Sequence, residues 1–294
     1  MINNSNLKHR VVSRNWQLGQ SLVVVKSIKD HFLGLLHCLK TEKDFFCGAI
    51  LISKTKVLTA AHCIENKLTN SKLRPQEILV LVGVHDLNIP HEVGKVSFAV
   101  KNITVHPDWH PLIQSYDADI AILELDGEVH FTNYIQPICL AAPESSAASI
   151  TLGLVVGFGS EIVDFENIAR KVNMPIHSYK DCAESRDHES LVSHRTICGG
   201  YANGTGVCRG DSGSGLIVKS NGIYYLRGIV SSSLRGGEYE CNVHAYSVFT
   251  DVTKFYDWIL TGDSTTNRNM HDEIKRLKET LQLIIKVKLL QILI

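Results

Sequence analysis

Three short segments of the sequence carry side chains that together could perform acyl transfer. They are Leu58-Thr-Ala-Ala-His-Cys63, Asp117-Ala-Asp-Ile-Ala-Ile-Leu123 and Cys208-Arg-Gly-Asp-Ser-Gly213. A serine hydroxyl is a poor nucleophile at neutral pH, so it needs an imidazole to accept its proton and a carboxylate to fix the tautomer of that imidazole. The segments therefore offer His62 as general base, Asp119 as the orienting acid and Ser212 as nucleophile. Asp117 is the one local competitor for the orienting role.

Composition and charge restrict the kind of protein that the chain can be. It has 294 residues with 30 basic and 30 acidic side chains, and 44% of its residues are hydrophobic. A formal net charge of zero gives nucleic-acid binding no support, and the hydrophobic share is typical of a globular protein. Eight cysteines without a CxxC pair favour disulfides over zinc, so we expect a secreted, extracellular protein. No His-Glu-x-x-His segment is present, and we expect neither a metal nor a cofactor.

Short segments rich in β-branched residues run from about residue 11 to residue 260, separated by Gly, Pro, Asn and Asp. This pattern predicts an all-β sandwich or barrel. A short helix is expected over Thr253–Leu260. The expected strands are Leu22–Val25, Ala49–Ile52, Lys56–Thr59, Ile78–Val82, Ile120–Leu125, Leu152–Val156, Gly215–Val218 and Tyr224–Val230.

The chain divides near its midpoint. Small residues at 141–149 indicate a boundary between two lobes, so we expect a domain over residues 11–261, with residues 11–135 in the first lobe and 136–261 in the second. Residues 262–294 begin as a polar linker and continue with apolar residues at helical spacing. Three interpretations stay open: an unstructured tail, a helix packed on the domain or a partner, and a membrane contact, which is a weak prediction because the apolar end is too short to span a bilayer.

The order His62, Asp119, Ser212 and the sequences around these residues resemble the chymotrypsin-like serine proteases of the trypsin family. The segment Gln136-Pro-Ile-Cys-Leu140 and the closing helix with Trp258 extend the resemblance over about residues 11–261. It implies an all-β fold of two six-stranded antiparallel β-barrels with a short C-terminal helix. It also implies a serine endopeptidase that acts on protein or peptide substrates, with protease inhibitors as further partners.

The resemblance assigns roles to residues beside the nucleophile. Gly210 and Ser212 would supply the two backbone N–H donors for the substrate oxyanion. Asp211 would pair with a new amino terminus released by zymogen cleavage. Ser231 would donate a hydrogen bond to the buried aspartate. The resemblance also favours Asp119 over Asp117, because the acid of the family stands directly before the apolar run.

Disulfide pairs are implied by the same resemblance. They are Cys47 with Cys63, Cys182 with Cys198, and Cys208 with Cys241. Cys38 and Cys139 remain, and two alternatives stay open: they pair with each other, or Cys139 lacks a partner in this sequence.

The substrate pocket departs from the usual pattern of the family. Its base is expected at Gly206 beside Val207, and its walls at Ser231, Ser233 and Ser247. An uncharged base argues against trypsin-like cleavage, because a buried substrate cation would lack a counter-charge. Small or medium apolar residues are therefore the expected specificity, with Phe or Tyr second.

Activation and modification are also predicted. Val11 is the candidate mature terminus, although Ser13-Arg14 stand where the family has glycines; alternatively, activation elements lie upstream in a longer precursor, as in the modular haemolymph proteases of insects. Asn102 and Asn203 open N-glycosylation sequons. The alternative to an active protease is a catalytically impaired homologue that acts as a binding or regulatory subunit.

Overall fold

The computed structural model of the chain describes residues 23–24, 33–38, 46–66, 71–110, 116–159, 168–184, 191–203, 206–208, 210–232, 241–242 and 244–262. Val11, Ser233 and the extension 263–294 lie outside these residues. The strands of the described part are, in chain order, β1 Val23–Val24, β2 Leu33–Cys38, β3 Cys47–Leu51, β4 Lys56–Thr59, β5 Glu65–Asn66, β6 Ser71–Lys72, β7 Ile78–Val82, β8 Val96–Val105, β9 Ala121–Leu125, β10 Cys139–Leu140, β11 Leu152–Gly157, β12 Arg170–His177, β13 Thr196–Gly199, β14 Gly215–Ser220, β15 Ile223–Ser232 and β16 Ser247–Asp251.

The first barrel is closed and antiparallel, with strand order β2-β3-β4-β9-β8-β7. Its strands are rich in Val, Ile and Leu, which suit a pleated, half-buried surface. The pairing of β4 with β9 matters most for the site. Thr59 at the end of β4 lies opposite Ala121 at the start of β9, so the residues that follow β4 lie beside those that precede β9.

The second barrel uses the order β12-β11-β14-β15-β16-β13, and it closes because β12 also pairs with β13. Two short strands are added to its outside, β1 on β12 and β10 in parallel on β15. The pairing of β15 with β16 is irregular between Val230 and Ser232. Two six-stranded antiparallel barrels confirm the fold class that the sequence predicts.

Helices are few and short in the described part. They are α1 Tyr179–Ala183, α2 Tyr256–Thr261 and the 3₁₀ turns Ala61–Cys63, Pro75–Glu77, Ser146–Ser149 and Val252–Lys254. None of them is both long and apolar enough to cross a membrane. The expected helix over Thr253–Leu260 is thus a 3₁₀ turn followed by α2, which ends at Gly262 in the left-handed conformation.

The α2 helix packs on the first barrel although it follows the last strand of the second. Phe255, Trp258 and Ile259 are buried in the same hydrophobic cluster as the first-barrel strands. The His106 ring lies 5.0 Å from the ring of Phe255 and 4.8 Å from that of Trp258. This packing ties the end of the second barrel to the first.

Several strands match their predicted bounds closely. Lys56–Thr59 and Ile78–Val82 have the same bounds in the prediction and in the structure. Other expected strands differ from the observed ones by one or two residues at an end. The expected strand Leu22–Val25 is described over Val23–Val24. Eight strands of the described part carried no prediction, namely β2, β5, β6, β8, β10, β12, β13 and β16.

Candidate active site

His62 lies in a tight turn directly after β4. The 3₁₀ turn Ala61–Cys63 is closed by hydrogen bonds from Cys63 N to Ala60 O, 3.2 Å, and from Ile64 N to Ala61 O, 2.9 Å. Ala60 and Ala61 are fully buried, so the backbone can approach its neighbours only because these side chains are small. The His62 side chain keeps 22% of its surface exposed, which leaves the ring accessible from one side.

Asp119 lies two residues before β9, and its side chain is completely buried. Its Oδ1 accepts a hydrogen bond from the backbone N of His62 at 2.8 Å, and its Oδ2 lies 2.7 Å from Nδ1 of the same residue. An ionised carboxylate only accepts hydrogen bonds, so Nδ1 of His62 carries a proton and Nε2 keeps a free lone pair. The geometry therefore fixes both the ring orientation and the tautomer.

The second barrel contributes two hydroxyls to Asp119. Ser231 Oγ donates to Asp119 Oδ2 at 2.5 Å, and Thr250 Oγ1 donates to the Asp119 carbonyl at 2.8 Å. Ser231 lies between Val230 and Ser232, where β15 loses its regular pairing, and such irregularities redirect a side chain from its expected face. Both barrels thus hold one carboxylate.

Ser212 lies in the turn that precedes β14. Asp211 N donates to Cys208 O at 3.1 Å and Ser214 N donates to Asp211 O at 2.9 Å, which makes the turn compact. Gly210 and Gly213 have φ of 91° and 80°, a conformation that residues with a Cβ rarely adopt. The two glycines allow the sharp turn on either side of the serine.

Gly213 brings the Ser212 turn against the first barrel. A Cβ at this position would lie 2.3 Å from Gly48 O and 2.4 Å from Thr59 Oγ1. Gly48 N donates to the Ser212 carbonyl at 2.7 Å, and Thr59 Oγ1 donates to Gly48 O at 2.9 Å. Thr59 is only three residues before His62, so this contact brings the serine turn to the histidine segment.

The side chains of His62 and Ser212 do not form a hydrogen bond in the described structure. Within the described part of the chain, the one atom in hydrogen-bonding range of His62 Nε2 is Cys63 Sγ, at 4.0 Å. Catalytic hydrogen bonds are often long before substrate binds, so this geometry is compatible with proton transfer from Ser212 to His62 in the substrate complex. The structure thus joins His62 directly to Asp119, and it joins Ser212 to the same region through the backbone.

Ser214 lies two residues after Ser212, at the contact with the first barrel. Its Oγ is buried and has no hydrogen-bond partner among the described residues. A Cβ at Gly48 would lie 2.2 Å from this Oγ. The hydroxyl therefore fills space that only a glycine at residue 48 leaves open.

Asp211 is a second buried carboxylate, directly before Ser212. Its Oδ2 accepts from Cys208 N and its Oδ1 from Gly159 N, each at 3.0 Å. No basic side chain of the described residues forms an ion pair with it. Burial raises the pKa of this carboxyl to about 6, and the two backbone hydrogen bonds offset that effect only in part.

The expected pocket residues are mostly buried. Gly206 is half-buried, whereas Val207 is 2% exposed and packs in the core of the second barrel with Val230 and Phe249. Ser247 is 4% exposed, at the start of β16.

Three disulfides fasten the loops around the site. They join Cys47 to Cys63, Cys182 to Cys198 and Cys208 to Cys241. Cys139 is a free, exposed cysteine, so it does not pair with Cys38. Each bridge contributes roughly 2–4 kcal/mol to stability.

One triple of metal-donor residues, Cys47, His62 and Cys63, comes together in the described residues. Both sulfurs belong to one disulfide and cannot act as thiolates, while His62 Nδ1 is already bonded to Asp119. This donor set does not fit a metal.

Of the sequon asparagines, Asn102 is exposed in β8 and Asn203 is exposed in the segment before Gly206. Both positions are accessible to a modifying enzyme, and modification at either stays a prediction.

Comparison with known proteins agrees with this architecture. The family model described as Trypsin matches residues 35–259. The chain is 33% identical to "Serine protease gd" of Drosophila melanogaster over 256 residues, which cover 74% of this chain and 48% of that protein. It is 30% identical to "Proclotting enzyme" of Tachypleus tridentatus over 221 residues, or 72% of this chain and 57% of that protein.

The chain belongs to the trypsin family. It spans about half the length of these two relatives. The resemblance that the sequence motifs suggest is thereby confirmed.

Two contributors to this trypsin-family site were not found by sequence reasoning. Thr59 and Thr250 each use a hydroxyl to hold a carbonyl beside the site. Both are ordinary strand residues, and no local pattern distinguishes them from the other threonines.

The raised pKa of Asp211 predicts how pH affects this trypsin-family chain before any cleavage. Folding favours the protonated carboxyl, so the carboxyl makes the folded state less stable as pH rises from about 4 through 6. The shift from 3.8 to about 6 sets an upper limit of about 3 kcal/mol on that loss. Asp211→Asn should remove this pH dependence, as measured by urea unfolding of the uncleaved chain at pH 4.5 and 7.

The exposed Asp126→Asn variant serves as the control, because its carboxylate is not buried. A difference in unfolding free energy between wild type and Asp211→Asn that is the same at both pH values would contradict the prediction.

Proposed function

We propose that this chain is the catalytic domain of a secreted serine endopeptidase, with His62, Asp119 and Ser212 as its triad. The observation that carries the proposal is the 2.7 Å contact between His62 Nδ1 and a completely buried carboxylate. It leaves Nε2 as a proton acceptor on the accessible side of the ring. A histidine that only filled space would need neither this tautomer nor a buried charged partner.

In the acylation step, Ser212 Oγ bonds to the carbonyl carbon of the substrate while its proton passes to His62 Nε2. Asp119 stabilises the resulting imidazolium through the Nδ1 hydrogen bond. The carbonyl oxygen becomes an oxyanion, which the backbone N–H groups of Gly210 and Ser212 would bind. The C–N bond then breaks, and the Nε2 proton passes to the leaving amine.

Deacylation repeats these steps with water as the nucleophile. His62 Nε2 accepts one proton from water as its oxygen bonds to the acyl carbon. The bond to Ser212 Oγ then breaks, the proton returns to that oxygen, and the carboxylic acid product leaves. Protein or peptide substrates and protease inhibitors would occupy the same site.

For the residue before the scissile bond, we propose a small or medium apolar side chain such as Val, Ala, Leu or Ile. Gly206 at the expected base has no side chain that could balance a substrate cation. The hydroxyl group of Ser247 adds volume where a smaller residue would leave a wider pocket. A buried Arg or Lys would therefore be poorly accommodated.

We also propose that a new amino terminus activates the enzyme by pairing with Asp211, with Val11 as the candidate terminus. The support is the buried carboxylate, which has two backbone donors and no cation among the described residues. An α-ammonium group would supply the missing charge and stabilise the ionised form. The three disulfides support secretion, because such bonds persist in oxidising compartments.

A second candidate function is a catalytically impaired homologue that binds or regulates other proteins. It is favoured by one observation, the missing hydrogen bond between His62 Nε2 and Ser212. The two functions differ in their reaction with a fluorophosphonate probe, which labels only an activated serine. No labelling of the protein after verified proteolytic processing would support the binding function.

For the active enzyme, Ser212→Ala should abolish labelling and lower kcat by about 10⁶-fold, because the nucleophile is removed. The folded state should be retained, as circular dichroism and thermal unfolding would show. Ser97→Ala, which changes an exposed serine of β8, is the matched control and should react as wild type does. Labelling of Ser212→Ala at wild-type stoichiometry would contradict the assignment.

Gly206→Asp should shift the preference towards Arg and Lys, since a carboxylate at the pocket base would pair with the substrate cation. A charge pair worth about 3 kcal/mol when desolvated corresponds to a gain of about 100-fold in kcat/KM for Arg over Val substrates. Gly206→Asn is the neutral control of similar size. Equal shifts in both variants, or equal wild-type activity on Arg and Val substrates, would contradict the pocket assignment.

A further inference from the structure

A charged cluster joins the two barrels beside Asp119. Arg195, just before β13, donates from Nε to Asp117 Oδ1 at 2.9 Å and also from Nη2 to Asp117 Oδ2. Its Nη1 donates to Asp108 Oδ2 at 2.8 Å. One guanidinium of the second barrel thus binds two carboxylates of the first, and with Asp117 it forms the two-point geometry that only arginine provides.

The cluster is partly shielded from water. The side chain of Arg195 is 19% exposed, and those of Asp117 and Asp108 are 29% and 31% exposed. The guanidinium lies 5.2 Å from the centre of the Phe255 ring. A partly buried ion pair with two hydrogen bonds is more rigid than an exposed ion pair, which water and salt screen and which contributes little to stability.

Other hydrogen bonds hold the same charged cluster in place. Ser193 Oγ donates to Asp117 Oδ1 at 2.7 Å, and the backbone N of Tyr116 donates to Leu191 O at 3.1 Å. Burial by itself would raise the pKa of the Asp117 carboxyl, but hydrogen bonds from Arg195 and Ser193 hold that pKa below its usual range. Asp117 therefore stays ionised and bonded over the pH range in which His62 must act as a base.

The charged cluster is connected to Asp119 by one strained residue. Ala118, between Asp117 and Asp119, has φ of 54°, and its carbonyl accepts a hydrogen bond from Ile120 N at 2.8 Å. Left-handed backbone at an alanine costs roughly 1–2 kcal/mol, so surrounding contacts must hold it. Asp117 is held on one side of Ala118 by Arg195, and the Asp119 carbonyl is held on the other side by Thr250.

We propose that Arg195 and Asp117 are positioning residues that hold the turn at Ala118, and through it the Asp119 carboxylate and the His62 ring, in the geometry needed for catalysis. Asp108 supports the pair as a second acceptor. The cluster makes the alignment of the two barrels part of the catalytic geometry. This inference rests on the proposed function, because it assigns Asp119 its orienting role.

The test measures kcat per active site, with the sites counted by the burst of a fluorophosphonate reagent. In Arg195→Gln, kcat per labelled site should fall about 10- to 100-fold while KM changes less than about threefold, because misplacement of a catalytic group lowers the rate of the chemical step. Arg195→Lys should recover only part of the loss, since an ammonium cannot make the two-point contact. Asp117→Asn should resemble Arg195→Gln, and the double variant should be no worse than either single one.

Arg74→Gln is the matched control, because Arg74 pairs with Glu77 within the first barrel, where the pair does not bridge the barrels. It should leave kcat per site unchanged. If Arg195→Gln does not fold, Asp117→Asn, which keeps nearly the same shape, provides the decisive measurement.

The results distinguish failure of the positioning role from failure of the proposed protease function. Unchanged kcat per labelled site in Arg195→Gln and Asp117→Asn, with only fewer labelled sites or a lower Tm, would show a merely structural role and overturn this inference alone. A processed wild type that neither labels nor hydrolyses peptides would overturn the proposed function and this inference with it.

Discussion

A carboxylate that is removed from water must be matched by donors, and in this protein that requirement is concentrated at Asp119. Its side chain is completely buried, and it accepts hydrogen bonds from the His62 backbone, the His62 ring and the Ser231 hydroxyl. An unpaired charge in such a place would cost several kcal/mol. The donors come from both barrels, so the barrels must be correctly aligned before the carboxylate is satisfied.

The same requirement explains features that lie further from the carboxylate. The register of β4 against β9 brings the histidine turn beside the aspartate, and the irregular pairing of β15 turns Ser231 inwards. Gly213 then lets the serine turn approach the first barrel closely enough for its contacts with Gly48. Small residues and backbone irregularities thus occur where two chain segments must meet.

The two buried carboxylates of the site differ in how well they are matched. Asp119 has three donors, one of them on a titratable ring. Asp211 has two backbone donors, and burial raises its pKa to about 6. The ionised form of Asp211 is therefore less well stabilised than that of Asp119. This difference is consistent with a site at Asp211 that is completed when a cationic group binds there.

Sequence reasoning located the fold class and the motif residues because both leave local signals. Strands such as Ile78–Val82 are continuous apolar runs, and the motifs around His62 and Ser212 combine small residues with reactive ones. The strand β8 was missed because polar and apolar residues do not alternate along it, and its exposed positions include apolar Val96 and Ala99 as well as polar Lys101. Contacts such as that between Arg195 and Asp117, which are 78 residues apart, leave no periodic pattern, so they become visible only once the barrels are assembled.

The role of the buried carboxylate is tested most directly by the kcat of Asp119→Asn, with the exposed Asp126→Asn variant measured beside it. The amide keeps the shape of the side chain but can donate a hydrogen bond to Nδ1, which favours the wrong tautomer of His62. We expect kcat to fall about 10⁴-fold in Asp119→Asn and to stay unchanged in Asp126→Asn. A correctly folded Asp119→Asn protein with kcat within tenfold of wild type would contradict the account.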